Sequence, residues 1–276
     1  MIDGPHSVSE PQFGGPTRPL FGASAAASST ATVAAPDRSR PLAGKLAVVT
    51  GASGLLGAAM AAELGARGAD VCLMGQDADE LRRTIASLGA EVRSLMLRCD
   101  LATESEVRSA VEFVERMDRP VDLLVHAAGL QAPATIASGT VEALDEHYLL
   151  NVRGPYLLTQ RLLGSLTEAS GQVVFFTASE TDEDATGDAH HHISQAGVQA
   201  FAAELRTEAS RLGIRVLTVD AVARTWADVS SAEGPGGRPV VAALATSVVD
   251  TLTTRGVDVT ELRVQRPSGP SRHERR

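Results

Sequence analysis

The segment Lys45-Leu46-Ala47-Val48-Val49-Thr50-Gly51-Ala52-Ser53-Gly54-Leu55-Leu56-Gly57 constrains this chain more than any other stretch. An apolar run suited to a buried strand ends in three glycines at three-residue spacing, and an alanine-rich helical pattern follows at once. Gly51 permits a tight turn, Gly54 lets the backbone approach a ligand, and Gly57 lets the helix pack close to the sheet. The N–H groups of Leu55 and Leu56, with the positive end of the helix dipole behind them, would face an anion such as a dinucleotide pyrophosphate. Ser53 and Leu56 belong to the same turn and are expected to contact that ligand together with the three glycines. Glycine-rich turns also arise for purely structural reasons; placement between a buried-type strand and a helix is what points to nucleotide binding.

The rest of the composition narrows the partners. A formal net charge of −9 argues against a nucleic-acid partner, which would want a basic face. No apolar run reaches the length of a membrane span. Cys72 and Cys99 fall at predicted buried strand ends, where a thiol behaves as a small hydrophobe, and suggest a reducing, cytoplasmic setting. Residues 1–41 are rich in Pro, Gly, Ser and Ala and show neither a strand nor a helix period, so a disordered tail is expected there. They lack a basic region ahead of the weakly apolar stretch Leu20–Ala35, and Asp3 and Glu10 argue against a transit peptide. The arginine-rich end, 266–276, reads as a second solvated tail around a single domain at 42–265.

From Leu42 onward strand and helix patterns alternate. Strands are expected at Leu46–Thr50, Asp70–Met74, Glu91–Arg98, Val121–Val125, Gln172–Thr177, Arg215–Val219 and Thr260–Val264. Helical patterns lie near 55–67, 78–88, 103–117, 141–169, 190–212 and 238–255. Repeated βα units imply an α/β fold, a doubly wound parallel sheet of about seven strands with helices on both faces. Right-handed crossovers then give a Rossmann arrangement that binds ligands at the carboxyl ends of the strands.

With these landmarks in order, the chain from Leu42 to about Val264 resembles the short-chain dehydrogenase/reductase family. The glycine turn follows the first strand, and Asp100 closes the third, where the family contacts adenine, with Leu101 beside it. His126-Ala127-Ala128-Gly129 ends the fourth strand like the family's Asn-Asn-Ala-Gly, so Ala127, Ala128 and Gly129 are implied cofactor neighbours. Asn151-Val152-Arg153-Gly154 resembles Asn-Val-x-Gly, whose Asn usually holds a proton-relay water. The glycine spacing, Thr-Gly-x-x-Gly-x-x-Gly, is that of extended and atypical branches.

The catalytic machinery departs from the resemblance. The family uses a Ser, a Tyr as proton donor or acceptor, and a Lys four residues later that lowers the Tyr pKa and holds the nicotinamide ribose. Counting from Gly171 puts the Ser position at Ala178, flanked by Thr177 and Ser179, the Tyr position at His191 and the Lys position at Gln195. Realignment does not rescue the pair. Lys45 is the single lysine, and the two tyrosines, Tyr148 and Tyr156, are followed at four residues by Val152 and Gln160. A histidine titrates near 6.5 and needs no cation to work near neutrality, whereas a phenol near 10 does. Gln195 could still hydrogen-bond ribose hydroxyls. The candidate catalytic set is therefore Asn151, Ser179, His191 and Gln195. Imidazole is shorter than phenol, so a bridging water is one expectation and a decayed site is another. Glu180, Asp182, Glu183, Asp184, Asp188 and His190–His192 crowd one loop, but consecutive histidines cannot all face one ion, and no metal site is assigned.

The cofactor is expected to be NAD or NADP. Asp77 lies slightly past the second strand within reach of ribose hydroxyls, and no basic residue occupies the turn, which leans toward NAD. Thr225 stands one residue before the usual carboxamide contact, and Ala221-Val222 replaces the family's Pro-Gly. The lid segment Thr225–Pro239, with the single Trp226, is short. The resemblance implies a small-molecule substrate and a homodimer or homotetramer. Two functions stay open: an oxidoreductase on a small carbonyl or alcohol with a non-standard acid–base site, or a silent or non-redox relative, of isomerase, dehydratase or cyclase type, serving as a biosynthetic or partner subunit.

Overall fold

Every residue of β1 (Leu46–Thr50) and of β2 (Asp70–Gly75) is buried, because both faces of the sheet are covered and a continuous apolar strand has no solvent side. The computed structural model describes residues 40–179, 188–222, 237–254 and 256–264. The other strands are β3 (Ser94–Arg98), β4 (Leu123–His126), β5 (Gln172–Ser179), β6 (Arg215–Val222) and β7 (Glu261–Val264). All pair in parallel, in the order β3-β2-β1-β4-β5-β6-β7. At the two edges the burial alternates residue by residue, as a half-covered strand must.

Helices α1 (Leu55–Ala66), α2 (Ala78–Ser87) and α7 (Gly237–Thr253) cover one face. Helices α3 (Glu104–Glu115), α5 (Gly154–Ala169) and α6 (Ala189–Ala209) cover the other. Successive residues of β1 divide between the layers: Ala47 and Val49 join the first, Leu46 and Val48 the second. At the amino end of the sheet the buried Asp122 accepts hydrogen bonds from Leu46 N (2.8 Å) and Lys45 Nζ (2.7 Å). The one lysine thus closes the end of the fold opposite the ligand-facing strand ends.

Two differences from the sequence expectation have clear causes. β3 begins at Ser94 rather than Glu91, because Val92 N turns back to Gly89 O and β2 pairs only from Val71 onward. The expected helix 141–169 is broken into α4 (Val141–Tyr148), a π-turn over Leu149–Arg153, and α5. One wide turn re-aims the side chains it carries, and such turns gather at functional sites; Asn151 sits in this one. The tails expected at 1–41 and 266–276 lie outside the described residues, save 40 and 41, and so does most of the lid segment.

His126, the last residue of β4, is buried, stacked on Phe175 at 4.9 Å between centroids, and bonded through Nε2 to Thr159 Oγ1 at 2.8 Å. Burial without a charged partner pushes its imidazole down to about 3. In the unfolded chain it titrates near 6.5. Between those values the unfolded chain holds one more proton, so stability falls as pH drops below about 6.5. Urea unfolding at several pH values should show a steeper acid-side loss in the parent than in His126→Leu, the difference approaching about 1.4 kcal/mol per pH unit.

Candidate active site

The strand order reverses direction between β1 and β4, and a crevice opens there beyond their carboxyl ends. It is a cavity of about 190 Å³ bounded by the first glycine turn, the end of β2 and the segment after β4. Gly51 has φ +64°, and a Cβ there would lie 2.6 Å from the Ala128 backbone, so only glycine allows the two loops to touch. Thr50 Oγ1 secures the same junction by accepting from Ala128 N at 3.3 Å.

Whether the groove suits an anionic cofactor is answered by the chain itself. α1 starts at Gly54 with no side-chain cap and no acidic residue in its first turn, leaving N–H groups and the positive dipole end toward the crevice. A Cβ on Gly129 would meet only Asn151 Oδ1, at 3.7 Å, so that glycine preserves space in the groove rather than internal packing. These features fit a diphosphate. Of the residues expected from sequence, Gly51, Ser53, Gly54, Leu101, Ala127, Ala128 and Gly129 line the groove. Leu56 and Gly57 contribute through the backbone and helix packing, with the Leu56 side chain in the core.

At the rim, two of the expected residues also hold local structure. The Asp77 Oδ1 caps α2 by accepting from Asp79 N (2.8 Å) and Glu80 N (3.0 Å), and those bonds hold the carboxyl below its ordinary range. Its role in the fold is a helix cap, and the preceding Gly75 and Gln76 line the rim. Asp100 accepts from Gln76 Nε2 (2.7 Å) and Ala102 N (2.9 Å), so its carboxylate orders the rim and its own turn. Cys99 also borders the groove, with burial pushing its thiol up to about 12, an unreactive state.

The second half of the site is a closed ring of hydrogen bonds. Asn151 Oδ1 accepts from Leu130 N (2.7 Å), and its Nδ2 donates to Leu130 O (3.0 Å) and to Ser194 Oγ (2.9 Å). Ser194 Oγ in turn donates to His191 O (2.7 Å), and His191 Nδ1 meets Leu130 O at 3.2 Å. Both amide hydrogens of Asn151 are therefore committed to protein acceptors. The side chain thus templates the ring, and a relay water expected at Asn151 would be held by one of its carbonyl oxygens rather than by these hydrogens. Gln195 is buried one turn after His191. Ser179 pairs with Val222 through β5, while its side chain, and all of Thr225, lie outside the described residues.

Around the ring, the start of α6 is stitched to the loop after β4. Ala189 N donates to Ala134 O (2.8 Å), and Gln131 Nε2 donates to Asp188 Oδ2 (2.9 Å). His147 is buried below, with Nδ1 on Ala143 O (2.7 Å), Nε2 accepting from Ala132 N (3.3 Å), and the His190 ring edge-on at 5.6 Å. Among the described residues no cluster of three His, Cys, Asp or Glu side chains forms; Glu180, Asp182, Glu183 and Asp184 fall outside them. Sequence reading missed Ser194, although it lies one helical turn after His191. It had no access to Leu130, which acts only through its peptide group.

Residues 45–225 match the short chain dehydrogenase family, and the chain belongs to it. Among similar proteins, D-threitol dehydrogenase of Mycolicibacterium smegmatis is 28% identical over 200 residues, covering 70% of this chain and 76% of that one. The chloroplastic NADPH-dependent aldehyde reductase-like protein of Arabidopsis thaliana is 29% identical over 189 residues, covering 63% and 70%. Among solved structures, a metagenomic short-chain oxidoreductase in complex with NADP has a TM-score of 0.67 at 24% identity, covering 81% of this chain and 98% of its own. Alcohol dehydrogenase from the archaeon Thermococcus sibiricus, complexed with 5-hydroxy-NADP, reaches 0.70 at 21% identity, covering 82% and 99%. Both structures share the fold.

The two glycines separate packing from binding. Gly51→Ala should lower the melting temperature by several degrees, since a strained φ and a backbone clash come together. Gly129→Val should leave melting nearly unchanged yet weaken dinucleotide binding at least tenfold, as read by calorimetric titration.

Proposed function

We propose that this protein is an NAD(P)-binding oxidoreductase acting on a small carbonyl or alcohol, with His191 at the place of the family's phenol. The observation that carries this reading is the uncapped α1 terminus and glycine cradle lining one crevice, with the ordered His191–Asn151 ring joined to it through Gly129 and Leu130. Gly51, Ser53, Gly54, Leu101, Ala127, Ala128 and Gly129 would hold the dinucleotide, with Gln195 toward the ribose. When bound, the nicotinamide supplies hydride donation or acceptance. The chain's own residues bind it, shape the pocket and move the proton. Asp77 caps α2 through Oδ1, which neither removes nor secures the lean toward NAD. Neutral Gln76 at the rim favours neither form by charge, and the NADP-bound neighbours make NADP as good a candidate. Free, buried Cys72 and Cys99 fit a reducing compartment. Exposed Tyr148, Tyr156 and Ile193 on α4, α5 and α6 are consistent with self-association.

A second reading is favoured by one observation, the buried neutral Gln195 where a cation would otherwise sit. In that reading the fold binds a dinucleotide without redox turnover. Calorimetry with NADH and NADPH, followed by turnover on a panel of small carbonyls and alcohols, separates the two. The oxidoreductase reading expects binding, and a loss of about 10²–10⁴-fold in turnover for His191→Ala with binding retained. Binding with no turnover supports the second reading, and no binding of either dinucleotide overturns both.

A further inference from the structure

The bond from His191 Nδ1 to Leu130 O settles which ring nitrogen carries hydrogen. A peptide carbonyl can only accept, so Nδ1 must donate and is protonated in the neutral ring. The same logic fixes His147, whose Nδ1 faces a carbonyl while Nε2 accepts a peptide N–H. In water the opposite tautomer of imidazole is the more populated, so the fold selects the form that leaves Nε2 with an open lone pair. Among the described residues His191 Nε2 has no hydrogen-bond partner.

We propose that His191 works through Nε2 as a general base, which directs the site toward oxidation of an alcohol near neutral pH, and that Asn151 is the positioning residue that sets this tautomer through Leu130 and Ser194. The inference rests on the oxidoreductase reading and deepens it. In the step, the substrate O–H bond breaks and its proton goes to Nε2. The O–H electron pair becomes the second carbonyl bond, while the C–H bond breaks and its pair leaves as hydride to the oxidised nicotinamide. The products are a carbonyl compound, the reduced dinucleotide and imidazolium, which releases the proton to water.

Asn151 is central because it grips both backbone polar groups of Leu130, its N–H and its C=O, which aims the carbonyl at His191. Through Ser194 it also anchors the His191 backbone. Among the described residues, the ionisable groups acting on His191 are Asp188 at the cap of its helix, His192 next to it and His147 from α4. The loop 127–139 contains none, and Arg153 of the π-turn is paired with Glu104. Burial outweighs the acceptor bond and Asp188, so the ring lies below the ordinary histidine value and is neutral at pH 7. The proton-bearing form that reduction needs is therefore scarce at neutral pH.

Two readouts test this on the full chain. Long-range proton–nitrogen correlation spectra of protein labelled with nitrogen-15 histidine, assigned with His191→Gln, should show protonated Nδ1 and bare Nε2 at about pH 7.5. An Nε2–H pattern overturns the proposal whatever the activity, while the oxidoreductase reading survives if turnover depends on His191. For kcat/KM against pH, alcohol oxidation should reach its plateau below about pH 6.5, and carbonyl reduction should fall about tenfold per unit above it. Oxidation that keeps climbing tenfold per unit from pH 7 to 9 overturns the base assignment. Asn151→Ala, and the milder Ser194→Ala should the first fail to fold, should mix the two tautomers and lower turnover by at least tenfold. A wild-type spectrum and wild-type kinetics in the folded variants would remove Asn151 from its positioning role. A protonated Nδ1 with no turnover on any substrate would sink the oxidoreductase reading and the base role with it.

Discussion

The contact of Gly51 against the Ala127–Ala128 backbone holds this molecule's two working halves together. A side chain at Gly51 would lie 2.6 Å from Ala128, so a bare backbone there is a condition for the loops to meet at all. On one side, that contact forms the wall of the groove beneath the α1 terminus. On the other, it delivers the chain through Gly129 to Leu130, whose peptide orders Asn151 and His191. The groove and the ring that holds His191 are thus two ends of a four-residue path.

The charge pattern follows from the same layout. The sole lysine is bound to Asp122 at the amino end of the sheet, far along the strands from the crevice. What positive potential the groove has comes from backbone dipoles instead; the polar side chains lining it, Ser53 and Gln76, are neutral, and the Asp100 carboxylate at the rim is bonded to Gln76. A neutral histidine held by a carbonyl is chemically coherent in such a setting, because no nearby cation is required to adjust it. His126, buried one residue before the loop, is a structural imidazole stacked on Phe175. The difference between His126 and His191 is access: one is buried among apolar rings, the other half-buried at a helix start.

Much of the fold was legible because burial on both faces writes itself into sequence as unbroken apolar runs, as in Leu46–Thr50 and Val173–Phe176. The glycine turn was legible because its spacing reflects steric need. The edges were less so: residues 91–93 have strand-like chemistry, yet the ladder with β2 begins only at Ser94, with Arg93 O accepting from Val71 N. In the site, His191 and Asn151 could be found by position within the motif, but their bonding could not. The π-turn at 149–153 leaves no composition signal, and Leu130 acts through a peptide group that every residue possesses.

The amino-acid sequence alone determined the parallel α/β architecture, the anion-facing turn and the absence of a Tyr-x-x-x-Lys pair, since each depends on local residue type or regular spacing. Only the tertiary structure decided that the Asn151 amide hydrogens are committed to Leu130 and Ser194, and which imidazole nitrogen of His191 faces a carbonyl. Those outcomes depend on which acceptor a donor meets in space, and hydrogen bonds between residues twenty to sixty positions apart have no periodicity to read.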